Sequence, residues 1–191
     1  MIKSIFYFHG FMSSADSTKA QIFKEYIVKN HKNIKLYIPN IADKFTEAIP
    51  QLNKLIEESN SNEMVFMGSS LGGFFATHYA ECFKSKAVVI NPAIKPSDGL
   101  KMYLGDNENY ANGNKFELTK DDIDAIKALE VDFIKNPKNY LLLCESDDEV
   151  LNYLDAVRFY KASYQDISFG GDHSYSRFKE KLEIIKKFIK I

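Results

Sequence analysis

Short apolar runs alternate along this chain with longer stretches in which apolar residues recur at helical spacing. Ile5 to Phe8 is a β-branched and aromatic run that predicts a buried strand, ending in the loop His9-Gly10-Phe11. From Ser17 the period changes, with Ala20, Phe23, Tyr26 and Ile27 on one helical face and Lys24, Glu25 and Lys29 on the other. Ile34 to Ile38 predicts a second strand, stopped by Pro39-Asn40. Thr46 to Glu58 predicts a helix through Ile49, Leu52, Leu55 and Ile56, with Pro50 in its first turn or at a kink. Glu63 to Met67 is a third strand, and Leu71 to Phe83 a helix with Leu71, Phe74, Phe75, His78 and Cys82 at the helical interval. Ala87 to Ile90 is a fourth strand ending at Asn91-Pro92. Tyr140 to Cys144 and Tyr164 to Phe169 are two more, with a helix over Val150 to Ala162 between them. After Gly170-Gly171-Asp172-His173 a last helix keeps Phe178, Leu182, Ile185 and Ile189 in register.

Six strands alternating with helices predict an α/β fold built on a mostly parallel sheet, with helices on both faces because crossovers are right-handed. The strand order expected is 2-1-3-4-5-6. Residues 93–137 are the least regular part, rich in turn residues before a helix capped at Thr119, and predict an irregular surface excursion over the active face.

Composition narrows the class. A chain of 191 residues with 45% hydrophobic residues is large enough for one buried core and short for two, so a single domain over 1–191 is expected. The net charge of −1, with Lys and Glu interspersed, argues against nucleic acid or an anionic membrane as the main partner. Cys82 and Cys144 lie inside apolar runs without metal-ligand spacing and read as buried free thiols. The apolar stretch at the N-terminus is too short for a signal peptide and no run approaches a membrane span, which makes the cytoplasm the default location.

The chemistry centres on Gly68-Ser69-Ser70-Leu71-Gly72, a Gly-x-Ser-x-Gly pattern joining a strand directly to a helix. That arrangement holds the central Ser70 on a sharp turn with its hydroxyl outward, in a backbone conformation that costs about 1–3 kcal/mol and persists mainly at active sites. Chance supplies the bare pattern in roughly 3 % of chains of this composition, so its context carries the weight. In an open sheet of the expected order, ligands bind where strand order reverses, beyond the ends of the first and third strands. The loops there are His9-Gly10-Phe11 and the Ser70 turn. A serine nucleophile needs a base, and the base an acceptor that fixes its tautomer. Of four histidines, His173 stands at a strand end after two glycines and follows serine and acid in chain order. His31 and His78 lie on helices, and His9 is placed to hold the loop that follows it. Among Glu145, Asp147, Asp148 and Glu149, position favours Asp148, with Asp147 the rival; Asp172 would point away from its neighbour His173. Backbone N–H groups of Phe11 and Leu71 are the expected oxyanion donors, aided by the helix dipole. Ser69 reads as a turn residue.

Taken together, Tyr7-Phe8-His9-Gly10-Phe11-Met12-Ser13-Ser14, Gly68-Ser69-Ser70-Leu71-Gly72-Gly73, Asn91-Pro92-Ala93, Tyr103-Leu104-Gly105-Asp106-Asn107-Glu108-Asn109, Asp148-Glu149-Val150-Leu151 and Gly170-Gly171-Asp172-His173 resemble the small YqiA-like esterases of the α/β-hydrolase superfamily over almost the whole chain. The resemblance implies a compact α/β-hydrolase fold, with Ser70, Asp148 and His173 as nucleophile, acid and base. It also implies hydrolysis of short acyl esters or acyl-CoA thioesters, without metal or cofactor. Where the family commonly has Gly before the acid, this chain has Asp147. The alternative is a hydrolase-fold protein that binds a small molecule or partner without catalysis. Tyr103, Tyr110 and Phe116 are expected to shape the acyl pocket, with packing onto the outer helices as the competing role.

Overall fold

In the computed structural model, which describes residues 2–191, the chain runs β1 (Ser4–Phe8), α1 (Thr18–Asn30), β2 (Lys35–Tyr37), α2 (Phe45–Glu58), β3 (Met64–Ser69), α3 (Leu71–Phe83) and β4 (Lys86–Ile90). It continues through α4 (Ser97–Leu100), β5 (Gly105–Glu108), β6 (Lys115–Leu118), α5 (Lys120–Ala128), β7 (Tyr140–Glu145), α6 (Tyr153–Phe159), β8 (Tyr164–Ser168) and α7 (Leu182–Ile189). Six strands pair in the order β2-β1-β3-β4-β7-β8, every pairing parallel. This is the predicted order, once the two strands of a separate hairpin, β5 and β6, are counted.

The pleat sorts side chains to two cores. Phe6, Phe8, Phe66, Val89, Leu142 and Cys144 point to the face covered by α2, α3, α5 and α6. Ile5, Tyr7, Val65, Met67, Ile90 and Leu143 point to the other face, against Phe23 and Ile27 of α1 and Ile185 and Ile189 of α7. Both sides of every central strand are buried, which is why those strands read as continuous apolar runs rather than alternating ones.

Three expectations are corrected. The stretch 93–137 is more regular than expected: besides the helix expected after Thr119, which is α5 with a capping box between Thr119 and Asp122, it holds α4 and the antiparallel hairpin β5-β6. The helix expected over Val150 to Ala162 is confined to Tyr153–Phe159, because Asp148 takes the N–H groups of Val150 and Leu151 into a turn and Asn152 caps the helix. Cys82 is exposed, whereas Cys144 is buried. Phe83, in the same last turn of α3, is also exposed. The last strand ends at Ser168, and a 3₁₀ turn, Ser176–Lys181, precedes α7.

Candidate active site

β3 delivers Ser70 to the N-terminus of α3. The residue has φ 55° and ψ −125°, outside the regions ordinary residues favour. The turn closes this tightly because its flanks have no side chains. A Cβ on Gly68 would stand 2.1 Å from the Gly72 carbonyl oxygen, and one on Gly72 2.0 Å from that of Phe8. Ser70 N–H donates to the Ile90 carbonyl at 3.0 Å, and the Ser70 carbonyl accepts from Ala93 N–H at 3.1 Å. The nucleophile candidate is thereby bonded to the end of β4.

The base and acid candidates meet. His173 Nδ1 lies 2.8 Å from Asp148 Oδ2 and 3.0 Å from Oδ1. Asp148 Oδ1 also accepts from the amides of Val150 at 2.9 Å and Leu151 at 2.8 Å, which satisfy a carboxylate that is 2% exposed. Asp147 is exposed and takes the Ser146 hydroxyl at 2.8 Å, away from the imidazole. Asp172 is engaged with the Ser174 hydroxyl, and its carboxylate is held below the ordinary value chiefly by that bond. Among the described residues the Ser70 hydroxyl makes no hydrogen bond within 3.5 Å.

The loop after β1 lies against the serine. A Cβ on Gly10 would sit 3.3 Å from Ser70 Cβ. His9 anchors this loop: its Nδ1 is 2.8 Å from the Gly10 carbonyl and its Nε2 accepts from Ile41 N–H at 3.0 Å, which fixes the proton on Nδ1. Burial pushes the ring below the ordinary imidazole value, so it holds the loop as a neutral group. Leu71 is the first residue of α3, where an N–H has no acceptor one turn back. Among the described residues the Phe11 N–H likewise has no hydrogen-bond partner.

The hairpin, the turn before it and the start of α2 form an aromatic wall beside this loop. Tyr103 and Phe116 meet the Phe11 ring edge-on at 5.4 Å and 6.1 Å, and Phe45 meets it at 5.5 Å. Tyr110, at the hairpin tip, is 84% exposed and turns away. Asn109, by contrast, is buried and donates to the Ser13 carbonyl at 3.3 Å and to Asp43, tying the hairpin to the loops after β1 and β2. The recess lined by Gly10, Phe11, Phe45, Leu71 and Phe75 is narrow, about 10 Å³. A larger cavity of about 530 Å³ lies between α1 and β2, with none of Ser70, Asp148 or His173 on its walls.

Four residues that hold the His173 loop were not singled out for that part by sequence reading. Asn91 follows β4 and donates Nδ2 to the Asp172 carbonyl at 3.1 Å and the His173 carbonyl at 3.4 Å. Glu145, fully buried, accepts Asp172 N–H at 2.8 Å, and Glu149 accepts His173 N–H at 3.0 Å. Lys19 donates to the Ser174 carbonyl at 2.6 Å; burial lowers its pKa, partly offset by Asp172, Glu145 and Asp148. The available signal was positional: Asn91 and Glu145 each close a central strand at the active edge. Among the described residues no cluster of three His, Cys, Asp or Glu could hold a metal ion, and no helix is long and apolar enough to cross a membrane.

Known structures share this fold. Est1E from Butyrivibrio proteoclasticus superposes with a TM-score of 0.72 at 14% identity, covering 99% of this chain and 87% of that one. Mouse alpha/beta hydrolase domain-containing protein 10 gives 0.73 at 15% identity, covering 98% and 89%. The architecture is therefore that of the α/β hydrolases. In sequence, a UPF0227 protein of Vibrio vulnificus (strain CMCP6) is 22% identical over 186 residues, spanning 96% of this chain and 97% of the relative. The model of the uncharacterised protein family UPF0227 matches residues 4–190, so the chain belongs to that family, the YqiA-like group to which its motifs pointed.

Proposed function

We propose that the protein is a serine hydrolase that cleaves carboxylic esters or thioesters of short acyl groups through an acyl-enzyme on Ser70. The observation that carries this reading is the strained Ser70 at the head of α3, on the same sheet edge as a formed His173–Asp148 pair. In this reading Asp148 accepts from His173 Nδ1–H and so leaves Nε2 free to take the Ser70 proton. The serine oxygen attacks the acyl carbon. The charge that develops on the carbonyl oxygen rests on the Phe11 and Leu71 amides and the positive end of α3, where one donor is typically worth about 10²–10³ in rate. His173 returns the proton to the departing alcohol or thiol, then activates a water that releases the acyl group. The chemistry asks for no metal or cofactor. The aromatic wall around Phe11, in the loop that lies against Ser70, supports an apolar acyl group.

A fluorophosphonate probe is expected to label wild type at Ser70 and to leave Ser70→Ala unlabelled. Activity on short aryl esters or acyl-CoA should fall by at least about 10⁴ in Ser70→Ala. Absence of both labelling and hydrolysis in folded wild type would leave a non-catalytic binding protein as the reading.

A further inference from the structure

The end of β4 touches both halves of the proposed catalytic pair. On one side Ile90 accepts Ser70 N–H at 3.0 Å and Ala93 N–H donates to the Ser70 carbonyl at 3.1 Å. On the other, the Asn91 side chain grips the backbone on which His173 is mounted. Between these bonds lie only residues 90–93. Asn91 is itself fixed: its N–H donates to the Leu143 carbonyl at 2.9 Å, and its Oδ1 accepts Glu145 N–H at 3.0 Å. That second bond dictates the orientation of the amide, because the carbonyls of residues 172 and 173 demand donors and Glu145 N–H demands an acceptor. The residue is 3% exposed, at φ 39°, a left-handed conformation that Asn tolerates better than most side chains.

We infer that Asn91 is a positioning residue that sets the separation of the Ser70 hydroxyl from the His173 imidazole, by joining the two otherwise independent loops through the end of β4. This rests on the serine-hydrolase reading. The Asp148–His173 bond orients the imidazole about Nδ1, but it does not set how far the ring stands from β3; the grip on the carbonyls of residues 172 and 173 does. Glu145 supports the same loop from below through Asp172 N–H, packed so closely that a Cβ on Gly171 would stand 2.2 Å from its carboxyl carbon.

Asn91→Asp tests this with least disturbance. It keeps the shape and the acceptor for Glu145 N–H, and replaces the two donors with an oxygen facing two carbonyls. Asn91→Ala serves as the second variant, and thermal unfolding reports whether each is folded. The expected result is a fluorophosphonate labelling rate and a kcat lowered by about 10–100-fold, with KM moved less than about twofold, as for a reacting group displaced by an ångström or less. A residue that only stabilised the fold would lower the unfolding temperature and leave the labelling rate of the folded protein unchanged. Labelling within about twofold of wild type in both folded variants overturns the inference while the hydrolase reading stands. If wild type itself is not labelled, that reading fails, and the His173 ring resonances then decide the placement. Unchanged positions in Asn91→Ala overturn it, whereas displaced ones support it.

Discussion

The two sides of the site are held by different forces. On the serine side, the elbow is shaped by exclusion: the atoms that a Cβ on Gly68 or Gly72 would strike are backbone atoms of the elbow itself and of β1, 2.0 to 2.8 Å away. On the histidine side, the loop is shaped by polar bonds from Asn91, Glu145, Glu149 and Lys19, and the atoms nearest a Cβ on Gly171 belong to a side chain. Backbone cannot step aside, but a carboxylate has rotamers. Gly68 and Gly72 therefore tolerate almost no substitution, whereas the histidine side yields by degrees and loses geometry before it loses the fold.

The sharpest way to break this contrast is Gly72→Ala. It is expected to cost more than about 4 kcal/mol, lowering the unfolding temperature by roughly 10 °C or more or abolishing soluble expression. A variant melting within about 3 °C of wild type would show that the elbow is not sterically determined. Gly171→Ala, at φ +85°, should leave the protein folded, with an unfolding temperature lowered by about 3–8 °C and ester hydrolysis reduced about 10–100-fold. Ser70→Gly removes the side chain from a conformation suited to glycine. Relief of strain, less the added freedom of the unfolded chain, should raise stability by about 1 kcal/mol while abolishing labelling, as calorimetry beside the probe assay would show. Last is the polar latch on the serine side. Because burial holds His9 below its ordinary value, the unfolded chain binds the proton first, and stability present above about pH 6.5 is lost as pH falls below it. His78 is lowered by burial as well, so His9→Gln should reduce, not remove, the fall in unfolding temperature between pH 7 and pH 5.

The same division explains what was legible in the sequence. Steric exclusion is written as glycine at fixed offsets, so the elbow and its place between β3 and α3 could be read from residues 68–73. Burial on two faces is written as apolar runs, so the six strands of the main sheet and their order were legible as well. The hairpin was not, because Gly105-Asp106-Asn107-Glu108 has the composition of a turn. Its signal was faint: Phe116 and Leu118 alternate with exposed residues across the Asn112-Gly113 turn. The helix after Asp148 was drawn too long because its apolar spacing gave no sign that the acid had claimed two of its amides. Asn91 stands in the sequence only as the close of a strand and part of a motif, since a hydrogen bond that spans some 80 residues leaves no local pattern.

One consequence follows from Phe11. Its ring belongs to the aromatic wall formed with Phe45, Tyr103 and Phe116, and its amide is the proposed donor to the transition-state oxygen. In the proposed mechanism, choice of acyl group and stabilisation of developing charge would thus be vested in one residue. An ill-fitting acyl chain that shifted the ring would also shift the amide, so the proposed mechanism predicts discrimination among substrates in turnover number more than in apparent affinity. Reshaping this wall to admit longer chains would then carry a penalty in speed even for substrates that bind well.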